Sequence, residues 1–156
     1  MGYLTIRKYP DIVLRKKCQL LDGVGSSEQK LLDDMAMTMY ATRGIGLAAP
    51  QVGISKSIAV VDAGKGLIKM INPKVLSKRG SSELEEGCLS VPQKCVNVKR
   101  AEEILVSYID ENARKCERSF RGLTARVVQH EIDHLNGKLI IDYLPWYKKM
   151  FIKEGD

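Results

Sequence analysis

Gln129-His130-Glu131-Ile132-Asp133-His134-Leu135-Asn136-Gly137 contains both histidines of the chain, four residues apart with a glutamate between them. On an α-helix that spacing puts the two imidazoles on one face, close enough to hold one cation. A neighbouring carboxylate can act on water bound to such a cation, so the stretch reads as the H-E-x-x-H pattern of hydrolytic metal sites. The pattern predicts a helix from Thr124 to Asn136, with Gly137 as its stop. Val128, Ile132 and Leu135 give it an apolar face. The histidines are therefore expected in the interior, where neutral imidazoles need partners.

A catalytic site of this kind usually takes a third protein ligand and keeps one position open. The longer pattern H-E-x-x-H-x-x-G-x-x-H matches through Gly137 but puts Ile140 where the third histidine belongs, and isoleucine cannot coordinate. A glutamate on a following helix is another solution. The sole glutamate after His134 is Glu154, two residues from the end, where fraying is expected. Elimination leaves a cysteine. The four cysteines, at 18, 88, 95 and 116, form no C-x-x-C pair, and reduced thiols are the expectation. Cys88 is the best placed, in the tight segment Glu85-Glu86-Gly87-Cys88-Leu89-Ser90-Val91-Pro92. The bland alternative is a buried cysteine acting as a small apolar residue.

The rest of the chain frames this helix. Tyr9-Pro10-Asp11 interrupts an extended arm from Arg7 to Leu14 and marks a turn. Ser26 with Gln29 fits a capping box. Leu31, Leu32, Met35, Met39 and Tyr40 then recur at helical spacing until Gly44, a plausible stop. Methionines 35, 37 and 39 belong to this core face rather than to a soft-metal stripe. Gly44-Ile45-Gly46-Leu47-Ala48-Ala49-Pro50-Gln51-Val52-Gly53 makes a poor helix and a poor central strand, and its glycines allow close backbone approach. Taken locally, Gln51 is a loop amide satisfying its own turn. Segments 58–61, 67–71, 75–78, 96–100 and 104–109 are β-rich, and Asp110-Glu111-Asn112-Ala113 turns a hairpin that returns through 115–120. Short strands with short connections argue for antiparallel sheets. Residues 140–144 read as a short strand, and Pro145 opens a last short helix.

With 156 residues, 44% apolar and 28% charged, the chain suits a single globular domain spanning 1–156. The net charge of +6 reads first as a solvated basic surface, and the sharper alternative is residence near nucleic acid, such as a ribosome. No basic run with interleaved aromatics supports specific DNA binding. The longest apolar runs fall far short of a membrane span, and no secretory signal core follows Arg7-Lys8, so a cytoplasmic monomer is expected.

Gly44-to-Gln51, Glu86-Gly87-Cys88-Leu89-Ser90 and Gln129-to-Leu135 together resemble the three signature motifs of the peptide deformylase family, in the family's order and at similar separations. The arm from Ile6 to Leu14 and Asp142-Tyr143-Leu144 resemble it too, so the likeness covers nearly the whole chain. The resemblance implies an α+β fold, with antiparallel sheets around a central metal-binding helix and an N-terminal helix. It implies removal of the N-formyl group from the formyl-methionine of nascent peptides. It implies Fe²⁺, replaceable by Ni²⁺, Co²⁺ or Zn²⁺, on Cys88, His130 and His134. Glu131 would be the acid/base, with Gln51 and the Leu89 N–H facing the oxyanion. Ile45, Leu84 and Val127 would form the methionine pocket, and the peptide would lie along Ile45-Gly46 and Gly87 as an added strand. Each histidine needs an outer acceptor, for which Glu86, Asp133 and Asp142 are candidates.

Two departures stand out. Gln93-Lys94-Cys95 replaces the family's usual glycine and rim residue, and the longer C-terminal helix of many relatives is not expected, with Lys148, Lys149 and Lys153 as basic residues there. Two other readings stay open at this level. One is a metallopeptidase on the same helix. The other is a structural metal site closed by a fourth ligand such as Cys95.

Overall fold

In this computed structural model residues 2–152 are described; Lys153 and Glu154 lie outside them. An N-terminal arm ends in a 3-10 turn at Ile12–Arg15, followed by helix α1, Ser26–Ala41. Strands β1 (Gly46–Ala48), β2 (Ile58–Val61), β3 (Ile68–Arg79), β4 (Ser82–Cys88), β5 (Val91–Arg100), β6 (Glu103–Ile109) and β7 (Lys115–Arg121) follow. Helix α2, Gly122–Leu135, a 3-10 turn at Ile140–Tyr143 and the one-turn helix α3, Trp146–Lys149, complete the chain. Five strands form an antiparallel sheet in the order β1-β2-β3-β6-β7, and β4 and β5 form a separate hairpin. The α+β architecture with antiparallel sheets is thus as expected.

Strand alternation explains how α2 becomes central. Along β2, Ile58 and Val60 pack with Leu32, Met35 and Met39 of α1, whereas Ala59 and Val61 pack with Ala125, Val128 and Leu135 of α2. The sheet therefore lies between the two helices, with β2 buried throughout. Burying each of Leu32, Met35 and Met39 is worth about 1.5–3 kcal/mol. Differences in helix propensity are below about 1 kcal/mol per residue. Packing on the sheet, more than propensity, holds α1.

Several boundaries differ from the sequence reading. Helix α1 is capped one residue early: Glu28 Oε2 accepts from the Gly25 N–H at 3.1 Å, while Gln29 Nε2 reaches the Glu111 carbonyl at 2.9 Å. Its left-handed stop is Arg43 (φ 58°) rather than Gly44. Tyr40 is half exposed, its hydroxyl donating to Asp62. The stretch after Gly44 is not wholly irregular. Gly46–Ala48 pairs as an edge strand, and Ala49–Val52 forms a 3-10 turn. β3 is one long strand rather than two, its irregularity taken up by register shifts against β6. β4 is a strand that its own composition hides. Residues 140–143 form a 3-10 turn instead of a strand, with Asp142 Oδ2 accepting from the Leu139 N–H at 3.0 Å. Helix α2 starts two residues before Thr124 and ends at Leu135, one residue short of Asn136, with Gly137 as the expected stop. Lys138 N–H bonds the Asp133 carbonyl, Gly137 N–H bonds the His134 carbonyl, and Gly137 takes φ 75°.

Candidate metal centre

Helix α2 is mostly buried: the sheet packs on one flank, and Arg126 and His130 bond it to the β4–β5 hairpin. Its two histidines meet the hairpin's thiol. His134 Nε2 lies 3.2 Å from His130 Nε2 and 3.3 Å from Cys88 Sγ. The three donor atoms are all within 4.8 Å of one another. Edges of a tetrahedral N/S site, from metal–ligand bonds of about 2.0–2.3 Å, are ~3.3–3.6 Å long. Two imidazole nitrogens and a sulfur converging at this range could hold a metal ion, and the residues fit one. Cys95, on the exposed face of β5, does not join them.

Burial and neighbouring charges shift the groups around this cluster. Burial works against a charge on His130, but Glu131, Cys88 and Glu86 outweigh it and raise its pKa to about 10. Burial, with the charge on His130, holds His134 well below its ordinary value. Glu131 is 3% exposed, and its Oε1 has no hydrogen-bond partner among the described residues. Burial pushes its carboxyl up to about 7, against the pull of His130 and Arg100. A carboxyl poised near neutrality beside a metal donor set is suited to move protons in both directions.

Of the three candidate outer acceptors, Glu86 is the one on a histidine: its Oε1 lies 3.0 Å from His130 Nδ1. Burial opposes its charge, yet His130 and Arg100 together lower its pKa to about 2. Asp133 instead receives Arg100 and Tyr143, and Asp142 receives Arg15. His134 Nδ1 has no partner among the described residues. Two buried arginines that the sequence reading did not single out organise this shell. Arg100 forks onto Glu86 at 2.7 and 2.9 Å, and Arg126 of α2 bonds Glu86, the Val98 carbonyl and the Ser82 carbonyl at 2.6–2.8 Å.

Beside the donors opens a cleft of about 760 Å³. Gln51, Leu89, Ile45, Gly46, Leu84, Gly87 and Val127 all line it, with Cys88, His130 and Glu131 at its base. Leu123, at the first turn of α2 and half exposed, adds an apolar wall that the sequence reading missed. Gln51 does satisfy its own turn in part, since its Oε1 accepts from the Ala48 N–H at 3.0 Å. That bond decides the amide's orientation and turns Nε2 toward Ser90 Oγ (3.2 Å) and Cys88 Sγ (3.7 Å). Any side chain at Gly46 would force its neighbours to move. A Cβ there would meet the Glu131 carboxylate, and Val127 Cγ1 at 2.7 Å.

A model of the polypeptide deformylase family matches residues 3–150. The peptide deformylase of Thermodesulfovibrio yellowstonii is 44% identical over 160 residues, covering 99% of this chain and 97% of that protein. A crystal structure of a peptide deformylase from Legionella pneumophila has a TM-score of 0.90 at 43% identity, over 95% of this chain and 89% of that one. A crystal structure of the peptide deformylase from Ehrlichia chaffeensis in complex with actinonin has a TM-score of 0.93 at 39% identity, over 97% of this chain and 94% of that one.

Proposed function

The chain belongs to the polypeptide deformylase family, hydrolases that remove the N-formyl group from nascent peptides, and we propose that it does so at an Fe²⁺ held by Cys88, His130 and His134. The observation that carries this reading is the convergence of those three donors beneath a cleft whose base also holds the unpartnered carboxylate of Glu131. Ni²⁺, Co²⁺ and Zn²⁺ suit the same donor set. When bound, the metal would supply Lewis acidity toward water and the formyl oxygen. Glu131 Oε1 takes a proton from the attacking water and returns it to the leaving amine, releasing formate. The Gln51 carboxamide, fixed by Ala48, presents its NH₂ to the developing oxyanion together with the Leu89 N–H.

The substrate reading also rests on the cleft. β1 is the edge of its sheet and β4 pairs with β5 alone. Free edges at Ile45-Gly46 and Gly87 let an extended peptide bond through its main chain, with little demand on its sequence. Ile45, Leu84 and Val127, with Leu123 beside them, offer the apolar surface for methionine. We read the chain as a monomer with a single catalytic domain, the family match running over residues 3–150. The net charge of +6 supports work close to the ribosome, in the cytoplasm. Among the described residues no helix is long and apolar enough to cross a membrane.

The test is to offer anaerobically prepared, Fe²⁺-loaded protein a formyl-methionyl peptide and its unformylated twin. Formate from the first and no cleavage of the second is the expected result. Cleavage of internal bonds without formate would sink the reading. In the same assay, Glu131→Gln keeps stoichiometric metal but loses turnover by about 10²–10⁴-fold. Cys88→Ala loses tight metal binding, as metal analysis after dialysis checks.

A further inference from the structure

On the basis of the metal-centre reading above, we propose that Tyr143 is a positioning residue for His130, acting through Asp133, Arg100 and Glu86. The connection is continuous. Tyr143 Oη donates to Asp133 Oδ2 at 2.6 Å, and Arg100 Nη1 donates to the same oxygen at 2.9 Å. The other side of that guanidinium forks onto both oxygens of Glu86, and Glu86 Oε1 meets His130 Nδ1 at 3.0 Å. Each link fixes the plane of the next. A guanidinium held on two sides cannot rotate, so the carboxylate it forks onto cannot rotate, and the imidazole bonded to that carboxylate keeps its orientation and tautomer.

Tyr143 is the member that closes the outer end. Glu86 and Arg100 are buried, whereas the Asp133 side chain is 23% exposed. Without the phenol, Asp133 Oδ2 can turn toward solvent and take Arg100 Nη1 with it. The ring is itself held, with Arg100 Cζ 5.2 Å and Lys138 Nζ 4.1 Å from its centroid. The two carboxylates and the two arginines, Arg100 and Arg126, sum to no net charge. Removing the uncharged phenol leaves that sum unchanged, so what Tyr143 contributes at His130 is geometric.

The test compares wild type, Tyr143→Phe, Arg100→Lys and Tyr40→Phe, each loaded with Co²⁺ under anaerobic conditions. Tyr40 makes the same kind of bond, donating to Asp62 Oδ2 at 2.6 Å, away from the donors. Two readouts are taken: the visible ligand-field spectrum of bound Co²⁺ and the rate of its release to excess chelator. Tyr143→Phe is expected to shift the spectrum and speed release about threefold to tenfold, below the ~10–100-fold typical of direct outer partners. Arg100→Lys, which keeps the charge but loses the fork, should exceed it. Tyr40→Phe should change neither. A Tyr143→Phe protein with wild-type spectrum and release rate overturns the proposal. So does a Tyr40→Phe protein that releases Co²⁺ as fast as Tyr143→Phe, because the effect is then general loosening. Wild type that binds no Co²⁺ overturns the metal centre itself, and the proposal with it.

Discussion

Gly46 carries a steric demand that its neighbours on α2 impose. Its missing Cβ is the space occupied by the Glu131 carboxylate and a Val127 methyl. In Gly46→Ala the methyl displaces the carboxylate from the donors while leaving Cys88, His130 and His134 in place. A shift of about 1 Å in a reacting group costs on the order of 10²-fold. Deformylation by Gly46→Ala is therefore expected to fall about 10²-fold in kcat with metal content unchanged; loss of metal in step with activity would refute the steric account. At this scale the three residues that converge were legible and their supports were not. Two histidines four apart and an isoleucine in the wrong place for a third ligand send the search to Cys88 by chemistry alone. Nothing local distinguishes Arg100 and Arg126 among 25 lysines and arginines. Their burial comes from partners at 14 to 44 residues' separation. Gln51 fell between these cases, since one end of its amide makes the local bond expected of it and the other faces the site.

The β4–β5 hairpin stands apart from the five-stranded sheet and must be docked by side chains. Arg126 supplies much of that docking, because from α2 it bonds the main chain of both strands and the carboxylate of Glu86. Arg126→Met fills similar volume but leaves two carbonyls unanswered and removes one of the two arginines on the buried Glu86. Breaking one partner of a buried pair costs about 3–5 kcal/mol. Urea unfolding of the metal-free protein should show a loss of that size, and a loss below ~1 kcal/mol would show that apolar packing docks the hairpin. Element type was legible wherever periodicity was strong, as in α1, α2 and the β6–β7 hairpin. It failed where pairing decides. Ser82-Glu83-Leu84-Glu85-Glu86-Gly87 has few β-formers and becomes a strand because β5 lies alongside it. Ile140-Ile141 has the composition of a strand but follows the Gly137 stop of α2 directly, closes a 3-10 turn and buries both side chains.

At the scale of the molecule, the N-terminal arm straps the two walls of the cleft together. Arg7 N–H bonds the Gln51 carbonyl at 2.7 Å behind β1, and Tyr9 N–H bonds the Ser90 carbonyl at 2.8 Å in the hairpin turn. Carboxylates anchor the arm at both ends. Asp34 of α1 accepts from the Gly2 N–H and Lys30, and Asp142 accepts from Arg15 at 2.6 Å. The extended run and turn of the arm were legible from Tyr9-Pro10-Asp11, but its anchors, 32 and 127 residues away in the chain, were not. Both carboxyls lie below their ordinary range. For Asp34 the Lys30 and Gly2 hydrogen bonds are the cause; for Asp142, burial opposes but Arg15 and the Leu139 N–H prevail. A lowered folded pKa means stability that is present above the unfolded value, about 3.9 for Asp, and lost as pH falls through the folded value. Asp34→Asn and Asp142→Asn should each melt below wild type at neutral pH. Each deficit should shrink as pH drops below about 4 and close once the wild-type carboxyl is protonated. The Arg15–Asp142 pair is partly exposed, so its share is modest and falls with salt. The two anchors share no partner, so the deficits of the double variant should add at pH 7. A double variant no worse than either single one would show that the arm is released as a unit when one end lets go.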